Sequence, residues 1–147
     1  MLYNKKYKMY NPYSLSGKTI LVTGASSGIG RSIAIECSRM GATLILTGRN
    51  EERLTETLNS LEDNGRAHQL YIADLSLATD ISALVAQLPQ LDGCVSNAGI
   101  GKTLPIPFLS WDELDRIYRI NSFAPMVLTK ELVRKKKLLN PSSLVFT

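Results

Sequence analysis

Thiols and imidazoles are almost absent from this chain. Of its 147 residues only Cys37 and Cys94 carry a thiol, and only His68 carries an imidazole. Cys37 falls in a helical pattern and Cys94 in an apolar strand, settings in which free cysteine acts as a small hydrophobe. Neither a disulfide framework nor a metal site is therefore expected. His68 stands just before a strand with no chemical partner close in sequence, which argues against a catalytic histidine. Long apolar runs are missing too. None approaches the roughly 20 residues that a membrane helix needs, so no membrane partner is expected. Residues 1–11 are basic and tyrosine-rich, without the apolar stretch or cleavage pattern of a signal peptide, which predicts a cytoplasmic location. There is no internal repeat and no low-complexity linker.

What remains is ordinary globular material. Hydrophobic residues make up 44% and charged ones 20% of a chain whose length suits one domain with a real core. Residues 1–14 read as a basic, tyrosine-rich arm bearing Tyr3, Tyr7, Tyr10 and Tyr13, and residues 15–147 as the domain. The net charge of +4 is unevenly spread. Lys5, Lys6, Lys8 and Lys18 face no acid within residues 1–18, and Lys130 with Arg134–Lys137 face only Glu131. The rest holds eight basic and twelve acidic residues. An acidic body argues against nucleic acid as a partner. The run Arg134–Lys137 is expected to end a helix, complementing its dipole while staying solvated.

Short apolar runs alternate with helical patterns. Strands are predicted at Thr19–Thr23, Thr43–Thr47, Gln69–Ala73, Gly93–Ser96 and Ser143–Thr147, continuous in apolar character as parallel strands covered on both faces are. Ile29, Ile33, Cys37 and Met40 mark one helix face, stopped by Gly41. Leu54, Leu58 and Leu61 mark a second helix, opened by Asn50 with Glu51 and Glu52 in its first turn. Ile81, Leu84, Val85 and Leu88 mark a third, entered by Asp80 and ended before Pro89. A longer helix starts at Ser110, with Glu113 completing a capping box, and carries Trp111, Leu114, Ile117, Tyr118, Leu128 and Leu132. The fold class is α/β, a doubly wound parallel sheet of Rossmann type with strand order 3-2-1-4-5.

Ligands in such sheets sit beyond the carboxyl ends of the strands. The first strand runs into Thr23-Gly24-Ala25-Ser26-Ser27-Gly28-Ile29-Gly30 and then a helix. Gly24 lets the backbone leave the strand sharply, Gly28 lets main chain approach phosphate oxygens, and Gly30 lets the helix pack close to the sheet. Arg31-Ser32 follows where a P-loop would need lysine and a hydroxyl residue, which excludes that motif. The second strand ends Thr47-Gly48-Arg49. An NAD site usually places a carboxylate there for the ribose 2′-hydroxyl, whereas a guanidinium suits a 2′-phosphate. NADP(H) is thus expected over NAD(H).

The glycine spacing with Thr23, Ser26 and Ser27 resembles the TGxxxGxG turn of the short-chain dehydrogenase/reductase family. Three further motifs agree in order. Asp74-Leu75 ends the third strand where the family holds the adenine edge, although Asp74 also suits capping of the next turn. Ser96-Asn97-Ala98-Gly99 is similar to the family's Asn-Asn-Ala-Gly, with serine in the first place; Asn97 is placed to pin adjacent strands. Ile120-Asn121-Ser122 matches the helix asparagine, whose main-chain carbonyl would hold a water in a proton relay. Pro125, lacking an N–H, withdraws the usual helical donor from that carbonyl. The resemblance runs from about Leu15 to Thr147. It implies cofactor contacts from Gly24, Ser26, Ser27, Gly28, Ile29, Gly30, Arg49, Asp74, Leu75, Asn97, Ala98 and Gly99, with Asn121 as the catalytic residue. The implied reaction interconverts a small-molecule carbonyl and an alcohol.

The family's reaction also needs a tyrosine with a lysine four residues on, the lysine lowering the tyrosine's pKa. Residues four beyond Tyr3, Tyr7, Tyr10, Tyr13, Tyr71 and Tyr118 are Tyr7, Asn11, Ser14, Gly17, Leu75 and Ser122. The resemblance places the missing serine, tyrosine and lysine after the fifth strand. The chain is therefore expected to be the cofactor half of such an enzyme, truncated after that strand and inactive alone. The full-length form would be a homodimer or homotetramer. The alternative is a non-catalytic NADP(H)-binding sensor or regulatory module.

Overall fold

The computed structural model describes residues 11–63, 65 and 67–147; the tyrosines at positions 3, 7 and 10 lie outside them. Five strands, β1 (Thr19–Thr23), β2 (Thr43–Gly48), β3 (Gln69–Ile72), β4 (Leu91–Ser96) and β5 (Leu138–Phe146), form one sheet in the order β3-β2-β1-β4-β5. Every pairing is parallel, as the alternation with helices requires. The helices are α1 (Gly28–Arg39), α2 (Glu51–Asn59), α3 (Ala78–Gln87), α4 (Trp111–Tyr118) and α5 (Ala124–Arg134).

Strand alternation sends β1 and β2 side chains to opposite faces. Ile20, Val22, Leu44 and Leu46 pack with Ala34 of α1 and Leu54 of α2. Leu21, Ile45 and Cys94 pack with Ile81, Leu84 and Val85 of α3 and Leu128 and Leu132 of α5. At its start β1 is tied to β4 by Asp92, whose carboxylate accepts from the Thr19 N–H and from Lys18 Nζ, both at 2.9 Å. At the other edge His68 extends the β2–β3 ladder. Its Nδ1 accepts from the Leu44 N–H and its Nε2 meets the Glu62 carbonyl, each at 2.9 Å. An acceptor at Nδ1 sets the tautomer with the proton on Nε2. The only imidazole is a structural clip.

Several expectations need correction. The buried face of α1 is Gly30, Ala34 and Ser38, with Ile33 and Cys37 only partly buried against the core, while Ile29 is 68% exposed. Small residues face the sheet because the helix lies close to it. Asp80 stands inside the first turn of α3 rather than entering it, since the cap is Leu77. β5 begins five residues earlier than predicted. Leu138 pairs with Leu91 and Ser143 with Gly93, so a bulge holding Pro141 separates two ladder segments that apolar pattern alone does not join.

The long helix is interrupted. Residues Arg119–Phe123 form a π turn between α4 and α5, with the Ala124 N–H donating to the Arg119 carbonyl five residues back. Pro125 explains the widening, because its ring has no N–H and would crowd the Asn121 carbonyl in a regular helix. Ser110 caps α4 through the Glu113 N–H at 3.2 Å, but the Glu113 carboxylate turns to Lys102 and Arg116 instead of closing a capping box. Trp111 and Tyr118 of this helix are exposed. The basic run after α5 is also less solvated than expected. Lys135 Nζ donates to the Ser82 carbonyl at 2.9 Å, and Lys137 Nζ to the Ala86 and Leu88 carbonyls. Both lysines serve α3, a neighbouring helix rather than their own, Lys135 at its middle and Lys137 at its C-terminal end.

Candidate functional site

Beyond the carboxyl ends of the strands, where the order reverses between β1 and β4, lies a cavity of about 760 Å³. Gly24, Ser26, Ser27, Gly28 and Ile29 line it from the turn after β1, and Arg49 from the end of β2. Asp74 and Leu75 contribute from the end of β3, and Asn97, Ala98 and Gly99 from the end of β4. The fold thus gathers eleven of the twelve residues expected around a cofactor. Gly30 is the exception. It sits beneath the turn, where a Cβ would collide with the Gly24 carbonyl oxygen and with Asn97 Nδ2. Its part is packing.

The turn is shaped by glycine for two separate reasons. Gly24 has φ +65°, and a Cβ there would approach the Ala98 Cα to 2.8 Å. Gly28 has φ +54° with nothing within 4 Å, so its position opens toward the cavity. Ser27 caps α1 without a side-chain hydrogen bond and the first turn holds no acid. The positive end of α1 is left for an anion to complement.

Asn97 and Thr23 weld the strand ends together. Asn97 Nδ2 donates to the Thr23 carbonyl at 3.3 Å, its Oδ1 accepts from Thr147 Oγ1 at 3.2 Å, and Thr23 Oγ1 accepts from the Asn97 and Ala98 N–H groups at 3.0 and 2.9 Å. One amide side chain therefore spans β1, β4 and the end of β5. Asn121 does not line the cavity. Its side chain clamps the backbone of Ile100, accepting from the N–H and donating to the carbonyl, both at 2.9 Å. Ile100 does line it. The asparagine thereby holds the cavity wall formed after β4.

Asp74 makes the turn that sequence allowed as its second role, accepting from the Ser76 N–H at 2.9 Å and the Ser76 hydroxyl at 2.7 Å. Burial works against its ionisation, but those hydrogen bonds and the Arg49 guanidinium outweigh it and hold the carboxyl below its ordinary value. Because the folded value lies below the unfolded one, the ionised group stabilises the fold above about pH 4. That contribution is lost as the pH falls through the lower, folded value. Asp74→Asn keeps an acceptor for Ser76 and cannot titrate. Its urea midpoint is expected to drop less than the wild type's between pH 7 and pH 3, and equal drops would exclude this role. The thiols take no part in the site. Burial pushes Cys94 up to about 11, and burial with the nearby Glu36 raises Cys37. Among the described residues no cluster of metal-binding side chains occurs, and no helix is long and apolar enough to cross a membrane.

Ala73, Ile100, Ile120, Asn50 and Arg53 also line the cavity, none of them expected there from sequence. Arg53 had a legible signal. It is four residues past Arg49 in the first turn of α2, where a cation opposes the helix dipole.

The short chain dehydrogenase family model matches residues 18–143. The 3-oxoacyl-(acyl-carrier-protein) reductase of Rickettsia bellii is 36% identical over 137 residues, covering 89% of this chain and 56% of that protein. A short chain dehydrogenase of Escherichia coli CFT073, crystallised with NADPH, superposes with a TM-score of 0.75 at 36% identity, over 85% of this chain and 55% of its own. One from Burkholderia cenocepacia J2315, in complex with NADP, gives 0.76 at 30% identity over 82% and 51%. The chain spans about half the length of the curated relatives it matches.

Proposed function

The chain belongs to the short-chain dehydrogenase family, and from that premise we propose that it is the NADP(H)-binding half of a carbonyl reductase. The observation that carries this reading is Arg49. It places a guanidinium at the end of β2, in the same cavity as the glycine turn, where an NAD site would present a carboxylate. The residues fit a dinucleotide. The turn from Gly24 to Gly28 and the start of α1 would take the pyrophosphate, Asp74 and Leu75 the adenine side, and Asn97–Gly99 the path of the chain toward the nicotinamide. When bound, that ring supplies or accepts the hydride.

What these residues contribute is placement. The Asn97–Thr23 network holds the strand ends rigid, and Asn121 holds the Ile100 wall, which supports its assignment as the catalytic asparagine acting through its main-chain carbonyl. The tyrosine–lysine pair of the family's acid–base step is not among these 147 residues. We accordingly assign this chain cofactor binding without turnover. Hydride transfer with a small-molecule carbonyl or alcohol belongs to a full-length homodimer or homotetramer in the cytoplasm.

Titration calorimetry of the purified chain is expected to show NADPH binding more tightly than NADH. Arg49→Glu is expected to weaken NADPH about 10- to 100-fold, the worth of one charge-assisted hydrogen bond, and to leave NADH within about threefold. Equal losses for the two cofactors would remove the basis for NADP(H) preference. Binding with no carbonyl reduction in any longer form of the protein would favour the sensor reading.

A further inference from the structure

Arg53 and Arg31 occupy neighbouring positions across α1 and α2, and only one of them reaches the cavity. Arg53 lines it beside Arg49. On a helix surface the natural partner of Arg53 is Glu56, three residues on. The structure gives Glu56 to another cation. Arg31 Nη2 holds the Glu56 carboxylate at 2.6 Å and the Arg53 carbonyl at 3.3 Å, while Arg31 Nε donates to Thr57 Oγ1 at 2.8 Å. Thr57 is fully buried, and its hydroxyl reaches the Ala25 carbonyl of the glycine turn at 2.9 Å. Arg31 is thus locked by three partners from α2. Among the described residues no carboxylate lies within ion-pair distance of the Arg53 or Arg49 guanidinium.

Arg49 shares the cavity with Asp74, whose carboxyl feels its charge, whereas Arg53 makes no ion pair among the described residues and stands in the first turn of α2, at its positive end. A doubly charged phosphate monoester complements both cations lining the cavity and offers enough oxygens for both guanidinium forks. We propose that Arg53 is a second binding residue for the 2′-phosphate of the cofactor, and that Arg31 is a positioning residue that keeps Glu56 away from it. This rests on the NADP(H) reading above. Losing Arg31 frees Glu56 to turn back on Arg53 and neutralise it, so a side chain outside the cavity sets the cofactor preference.

The test is calorimetry on the full 147-residue chain with adenosine 2′,5′-bisphosphate and 5′-AMP, which differ only in the 2′-phosphate, with circular dichroism to establish folding. The wild type is expected to prefer the bisphosphate. Arg53→Gln and Arg31→Gln are each expected to cut that preference about tenfold with 5′-AMP affinity unchanged. Arg31→Gln/Glu56→Gln restores it, because the freed acid is gone. Arg31→Lys, which keeps a charge on Glu56, retains most of it. A wild type with no preference overturns both the NADP(H) reading and this proposal. Preference intact in Arg53→Gln overturns the roles of Arg53 and Arg31 and leaves the NADP(H) reading standing. A double variant no better than Arg31→Gln, or loss in Arg31→Lys when Arg31→Gln does not fold, overturns the role of Arg31.

Discussion

Gly30→Ala is expected to destabilise the fold by about 3 kcal/mol, near the upper end of what an overpacked site costs. In an exposed helix the same change stabilises by roughly 0.5–1 kcal/mol, because alanine loses less backbone entropy. The sign reverses here because a Cβ at Gly30 has no room. It would strike the Gly24 carbonyl oxygen and Asn97 Nδ2, and Asn97 is tied to β1 and to the end of β5. Backbone on one side and a bonded amide on the other leave nothing soft to give way. Gly28→Ala separates the two kinds of glycine in the turn. At φ +54° with open space around it, it pays only the left-handed strain of about 1–2 kcal/mol, and should lose cofactor affinity while staying folded. Urea denaturation followed by far-UV circular dichroism measures both. A Gly30→Ala midpoint at or above the wild type's would mean that α1 does not press against the β1–β4 junction.

Leu21→Ala is expected to cost about 4 kcal/mol, in the range for a large aliphatic side chain removed from a rigid core. Leu21 is fully buried on the central strand, opposite Ile45 on one side and Cys94 on the other. Its neighbours belong to strands paired on both edges and to α3 and α5, so the space it leaves cannot collapse. Ile29→Ala is the contrast. Ile29 is equally apolar and stands at the start of α1, yet its exposure predicts a change within about 0.5 kcal/mol. Chemical denaturation of the two variants side by side checks the difference. Similar losses for both would contradict the placement of the core.

The cavity lining was legible because its residues are local to strand ends. Thr23–Gly28, Thr47–Arg49, Asp74–Leu75 and Asn97–Gly99 each end an apolar run, and parallel order then brings those ends to one edge. Reading failed where a role depends on a neighbour distant in sequence. Ile29 was placed on the helix face with Ile33 because periodicity sees spacing but not how closely a helix sits on its sheet. The lysines at 135 and 137 looked solvated because their acceptors, on α3, are about 50 residues away in the chain. The spacing of Arg53 and Glu56 along α2 does not tell which cation holds that acid, and only the packing of α1 against α2 assigns it to Arg31.

Sequence by itself determined the strand order, the glycine turn and the cationic end of β2, since each follows from hydrophobic period, backbone freedom or charge within a few residues. Tertiary structure alone decided three things. It set Gly30 against the Gly24 carbonyl and Asn97, turned Asn121 into the clamp on Ile100, and chose which guanidinium carries a carboxylate and which lines the cavity. Those outcomes depend on side chains from separate elements meeting within a few ångströms, and local propensity contains no information about such meetings.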